Sequence, residues 1–317
     1  MIKKILKWVL IVLVIIFILS IFFGREKKPE PQQESEPEAG EWANIRAKDR
    51  AHFAEEGWST PVYLEINAYN GWIDSLEVSP DGKTIRYVFY PGPDLISDSA
   101  TGNFKGDADI YMSEEPFKTH KPVGKYFMNE FPWSACCIHV DADGNFWYNT
   151  NYAARPGGSS EGNTDYHPLF RNDQLLALND KEKKYGDVFY CKAQDELWLV
   201  GNENQLHVLK NAAADGFTSK PVKAPDPVSQ GGQPFLPTGC NDLYFTANFG
   251  DVDSQGPAIY KSMRSGASWS KPVPLLWSKI GVGEFTFTAD GKKAFFVQLF
   301  KNDKGEMRIG AFSTERK

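Results

Sequence analysis

One phrase recurs five times down this chain, and it leaves few folds open. A short β-rich run meets a tight turn and is followed by a second β-rich run. The clearest copy is Leu76-Glu-Val-Ser-Pro-Asp81-Gly82-Lys-Thr-Ile-Arg-Tyr-Val-Phe89. Two more turn at Asp143-Gly144 and Asp290-Gly291, and degenerate copies turn near Gln194 and Gly239. Asp-Gly suits the positive φ angles of a tight hairpin turn. A unit this small cannot bury its own apolar face, so the copies must stack on one another.

Each hairpin has companions. A third β-rich run follows it, as in Asp109-Ile-Tyr-Met-Ser113, Gln205-Leu-His-Val-Leu209 and Ala258-Ile-Tyr-Lys-Ser262. A closing run then pairs an aromatic with a small polar residue and Pro-Val, as in Phe117–Val123, Phe217–Val222 and Trp269–Val273, with a weak equivalent at Asp173–Leu178. Five such sets predict an all-β, five-bladed β-propeller of four-stranded blades over Trp58–Lys317. The last set ends on Met307–Phe312 without a closing run, while Trp58-Ser-Thr-Pro-Val62 has no blade of its own. The N-terminal run is therefore predicted to close blade five, joining the chain ends and leaving no free edge.

Ser79-Pro80-Asp81-Gly82-Lys83, Asp109-Ile110-Tyr111 and Trp269-Ser270-Lys271-Pro272 resemble the WD-like repeat of TolB-type β-propellers. The resemblance spans about Trp58–Lys317 and implies the fold. TolB itself is expected to have six blades, against five sets here, and propellers host many activities. Ser262-Met-Arg264-Ser-Gly266-Ala-Ser-Trp269 has the spacing of a sialidase Asp box, but Arg264 replaces the Asp and the segment occurs once. It reads as an ordinary turn between the third and fourth strands.

Ahead of the repeats, Lys3 and Lys4 precede an apolar run from Ile5 to Phe23 that only Lys7 interrupts. Its length reaches the short end of a membrane span. A cleaved signal peptide is the alternative, but no Ala-x-Ala site and no lipid-accepting Cys follows the run. Residues 1–25 are therefore expected to be a cytoplasmic tip and transmembrane anchor, contacting the cytoplasmic membrane through residues 5–23. Arg25, Lys27 and Lys28 nearly balance the charge across the span, so the short N-terminal tail and large C-terminal part favour a propeller on the periplasmic side of the inner membrane. Residues 26–41 are Pro/Glu-rich and read as a solvated linker. Residues 42–57 read as a short helical lead-in ended by Gly57.

The net charge is −6, and without a basic stripe a nucleic-acid partner is excluded. Long polar loops at about 90–108, 150–166 and 247–257 mark one face as functional. Aligned on their turns, the inner strands place Asp74, Cys136, Asp187, Gly232 with Gln233, and Gly283 with Glu284 around the channel mouth. Trp72 and Trp133 lie just ahead of inner strands. The candidate ligand-binding set is Trp72, Asp74, Trp133, Asp187, Gln233 and Glu284. Asp74, Asp187 and Glu284 are also the candidate catalytic carboxylates, since glycoside hydrolysis uses paired carboxyl groups. The alternative is that Asp74 and Asp187 cap backbone amides at the strand entry.

Asp98, Asp107 and Asp109, and Asp251 with Asp253, raise Ca²⁺ as a ligand, but no ordered Ca²⁺-loop spacing exists, and no cofactor is expected. None of the four cysteines forms a C-x-x-C pair. A disulfide between Cys137 and Cys191 on adjacent inner strands is one reading, buried thiols are another, and a Cys136–Cys137 ring is a third but geometrically strained one. The five histidines show no ligand spacing. The expected function is a non-catalytic envelope module that binds a protein partner or a glycan on the loop-rich face. The rival is a glycan-active hydrolase.

Overall fold

The computed structural model describes residues 40–69, 71–92, 94–101, 107–126, 128–129, 134–150, 168–176, 178, 185–201 and 204–317. The anchor, most of the linker and Trp133 lie outside the described residues. Among those described, no helix is long and apolar enough to cross a membrane.

The turns fold as their residues dictate. Asp81 accepts from the Ser79 hydroxyl (2.6 Å) and the Lys83 amide (3.1 Å), and Gly82 takes φ +75°. Asp290 repeats this with Thr288 and Lys292. Each turn returns the chain antiparallel, and five sheets result. Blade one runs from inner strand Trp72–Val78 through Thr84–Tyr90 and Asp109–Glu114 to Lys121–Pro122. Blades two, three and four start on Ala135–Val140, Gly186–Cys191 and Gly232–Phe235. Blade five starts on Val282–Phe287, and its outermost strand is Val62–Tyr63. Val62 pairs with Ser313 and Tyr63 with Phe312, and a further bridge joins Trp58 to Arg316. The N-terminal strand thus closes the ring.

The core is distributed. Five apolar clusters fill the five gaps between neighbouring blades. The closing-strand aromatics plug these gaps, each against the blade before its own. Phe117 meets Phe295, Phe217 meets Trp147 and Trp269 meets Trp198, at centroid distances of 5.5, 5.1 and 5.6 Å. Fully burying one such ring is worth roughly 1.5–3 kcal/mol.

The lead-in differs from its sequence reading. The helix covers only Glu41–Lys48, and the chain then forms a strand, His52–Phe53, on the outer edge of blade four. Asp49 causes the change. Its carboxylate accepts the Lys279 amide (3.0 Å) and its carbonyl accepts the Gln298 side chain (2.7 Å). These bonds pull the chain down onto blades four and five, where Trp42, Ile45 and Phe53 pack.

The cysteine pairing also needs correction. Cys191 is bonded to Cys240, not to Cys137. Cys191 ends its inner strand at the hairpin turn, and Cys240 sits in the corresponding turn of blade four, with Cα atoms 6.2 Å apart. Cys137 lies farther up its strand, at the level of the channel. Beside the disulfide, Arg264 grips buried Glu196 through two bonds (3.2 and 2.6 Å), donates to the Cys240 carbonyl (3.1 Å) and covers Trp269. The residue that departs from the Asp-box pattern is therefore a clamp between blades three and four.

Candidate functional site

Every inner strand carries a β-bulge at the same place. The register slips between Asp74 and Glu77, Cys136 and His139, Gly186 and Phe189, Gly232 and Phe235, and Gly283 and Thr286. The first bulged residue is never glycine, yet each has positive φ: Ser75 49°, Cys137 61°, Asp187 41°, Gln233 51° and Glu284 54°. Such a conformation costs on the order of 1–3 kcal/mol per residue, so something repeated must hold it.

A cyclic set of ties between blades does so. The Asp187 amide hydrogen-bonds the Cys137 sulfur. The Gln233 amide bonds the Asp187 carboxyl. The Glu284 amide donates to Gln233 Oε1 (3.1 Å), and Gln233 Nε2 donates back to Glu284 Oε1. The Ser75 amide bonds the Glu284 carboxyl and also lies 3.0 Å from Asp74 Oδ1. The left-handed bulge turns each of these amides toward the preceding blade, whose side chain accepts it. Ser75 is too short to continue the pattern. Glu77 makes the last tie instead, accepting from the Val140 amide (2.9 and 3.0 Å) and contacting His139 Nδ1 (2.7 Å).

The ring concentrates negative charge. Glu284 is 8% exposed. Burial first, then Asp74 and Asp187, push its carboxyl well above the ordinary range. Burial and then Asp74 push Asp187 up to about 6, while bonds from Cys137 and Gln233 pull it down. Asp74 also meets Glu284 carboxyl to carboxyl.

Three spaces line up on the inner strands. The ring encloses only about 50 Å³. Below it, toward the hairpin turns, a mainly apolar space of about 210 Å³ is lined by Val78, Val140, Phe189, Phe235 and Phe287. Above it a mouth cavity of about 730 Å³ opens, within the usual 300–1,000 Å³ range of ligand sites. Trp72, Asp74, Asp187 and Gln233 line the mouth, and Glu284 lines the ring space below. The polar lining is mostly amide and hydroxyl: Asn204, Gln205, Gln230, Thr246 and Asn248. Its described residues include no Lys or Arg. Ile96 and Phe249, 49% and 40% exposed, bring apolar surface to the rim from two of the expected loops. The third loop, about 150–166, lies almost wholly outside the described residues.

The sequence-derived ring was therefore one residue out of step in two blades. Asp74 and Cys136 stand just before the bulged residues Ser75 and Cys137. Aligning on the apolar residue that follows the bulge (Leu76, Ile138, Val188, Pro234, Phe285) would have found the true level. The mouth residues Gln205, Gln230, Asn248 and Phe249 were missed, because only the folded blades bring them together.

Of the suggested Ca²⁺ residues, Asp98 accepts from the Tyr90 hydroxyl (2.8 Å) and Asp251 from that of Tyr260. Among the described residues no group of three or more His, Cys, Asp or Glu side chains is placed to hold a metal ion.

No protein-family model matches this chain, and no curated protein matches it. Solved structures do. TolB from Acinetobacter baumannii is 10% identical with a TM-score of 0.41, over 80% of this chain and 56% of that one. A thermostable family-43 glycoside hydrolase is 12% identical with a TM-score of 0.43, over 75% and 88%. Another glycoside hydrolase is 14% identical with a TM-score of 0.46, over 78% and 63%. The chain thus spans little more than half the length of the Acinetobacter TolB structure.

Proposed function

We propose that this chain is a non-catalytic binding propeller of the cell envelope, with the mouth cavity as its ligand site. The observation that carries the reading is the division of labour along the axis. The cavity above the ring has the volume of a ligand site. The carboxylates at its floor serve as ties: Asp187 and Glu284 accept backbone amides of neighbouring blades, and Asp74 bonds Glu284 and the Ser75 amide. Carboxyls bound in this way are poorly free to approach a glycosidic bond and the water that attacks it.

The lining favours an uncharged polar ligand. Amide side chains pair with hydroxyl and peptide groups, Phe249 offers a ring face, and the described lining holds no cation for an anionic ligand. A glycan or a polar protein segment fits that chemistry. The cross-blade disulfide supports an oxidising, extracytoplasmic setting, and the apolar N-terminal run supports anchorage in the inner membrane.

The rival reading keeps one observation in its favour. Asp187 and Glu284 are carboxyls with raised proton affinity beside an open cavity, as a general acid would be. One experiment addresses both. The full-length chain is offered a panel of envelope oligosaccharides and peptides, with thermal shift and product release followed together. The proposal expects a shift without release, and loss of that shift in Asn248→Ala or Phe249→Ala. Release that disappears in Glu284→Gln would establish the hydrolase instead. A shift that survives both mouth substitutions would move the ligand elsewhere.

A further inference from the structure

In an ordinary strand, successive side chains point to opposite faces, so adjacent cysteines hold their sulfurs apart. Cys136 and Cys137 do not sit in an ordinary strand. They are the residue before the bulge of blade two and its first residue, and Cys137 is left-handed with φ 61°. The bulge cancels the alternation and turns both side chains to one side. Their sulfurs lie 2.6 Å apart, approaching the roughly 2.05 Å of a disulfide bond. All five blades share this bulge, but only here are both positions cysteine.

We propose that Cys136 and Cys137 form a redox site on the channel ring, cycling between a dithiol and a vicinal disulfide. The oxidant is a small-molecule disulfide. A deprotonated Cys136 thiolate attacks it, forming a mixed disulfide and expelling one small thiolate. Cys137, losing its proton, then attacks the Cys136 sulfur and expels the second. One sulfur–sulfur bond forms between the cysteines and one breaks in the oxidant. The pair loses two electrons and two protons, and the oxidant leaves as two thiols. Both cysteines are partly exposed. Asp187 and Gln233 line both the mouth cavity and the ring space that Cys137 borders, so a small oxidant in the mouth is one residue layer away.

The redox site does not depend on the ligand reading above.

Peptide mapping of the full-length chain tests this. The protein is equilibrated with oxidised or reduced glutathione, unfolded, alkylated and digested. In oxidised glutathione, the peptide holding Cys136 and Cys137 is expected to take no alkyl group and to weigh two hydrogens less than the dithiol. In reduced glutathione it should take two alkyl groups, while Cys191–Cys240 stays linked. Cys136→Ser and Cys137→Ser should each leave a single cysteine that alkylates or carries glutathione. Two alkylated thiols in oxidised glutathione, stable glutathione adducts on the wild-type pair, or linkage to Cys191 or Cys240 would overturn the proposal.

Discussion

Gln233 and Glu284 hold each other in both directions. The Glu284 amide donates to Gln233 Oε1 at 3.1 Å, and Gln233 Nε2 donates to Glu284 Oε1. A carboxamide suits this position because it accepts and donates at once. Gln233→Glu keeps the size but loses the donor and adds a fourth carboxyl to the ring. It is predicted to lose about 1–3 kcal/mol of stability by denaturant unfolding. Gln233→Glu as stable as wild type would mean that the pair does not hold blades four and five together.

The ring also predicts a pH dependence with a definite sign. Asp187 rises from 3.8 to about 6, and Glu284 rises well above its ordinary value. A carboxyl raised by folding binds more protons folded than unfolded. Its contribution is full below its unfolded pKa and is lost as pH rises through the folded pKa. For Asp187 that window is about pH 4 to 6. Melting temperature should therefore fall across the window, and Asp187→Asn should fall less. An equal fall in the variant would remove Asp187 from the account.

Arg264 offers a test of the clamp between blades three and four. Glu196 is 5% exposed and would be left buried without its cation. Removing one partner of such a pair costs about 3–5 kcal/mol. Arg264→Ala is predicted to lose that much, and Arg264→Lys to recover only part, since lysine lacks the two-pronged geometry. Full recovery with lysine would reduce the clamp to a simple charge contact.

Much of the fold was legible because it rests on local chemistry. Asp81-Gly82 and Asp290-Gly291 fix their turns by bonds within a few residues, and the missing closing strand of blade five pointed to Val62–Tyr63. The site was legible only in part. The bulge inserts one residue at a point where no turn residue marks it, which displaced Asp74 and Cys136 from the true ring level. Cys191 found Cys240 because both lie at hairpin ends, a height along the strand that spacing alone does not give. Gln205, Gln230, Asn248 and Phe249 come from separate segments of blades three and four, so no stretch of sequence holds the mouth cavity.

The central claim is that the ring carboxylates hold the blades together. The most direct measurement is the unfolding free energy of Glu284→Ala against wild type. If Glu284 is a tie, the variant takes an acceptor from the Ser75 amide and the acceptor of Gln233 Nε2, and loses about 1–3 kcal/mol. If the carboxyls are crowded together for chemistry at a cost to stability, removing one relieves that cost. A variant more stable than wild type would contradict the account.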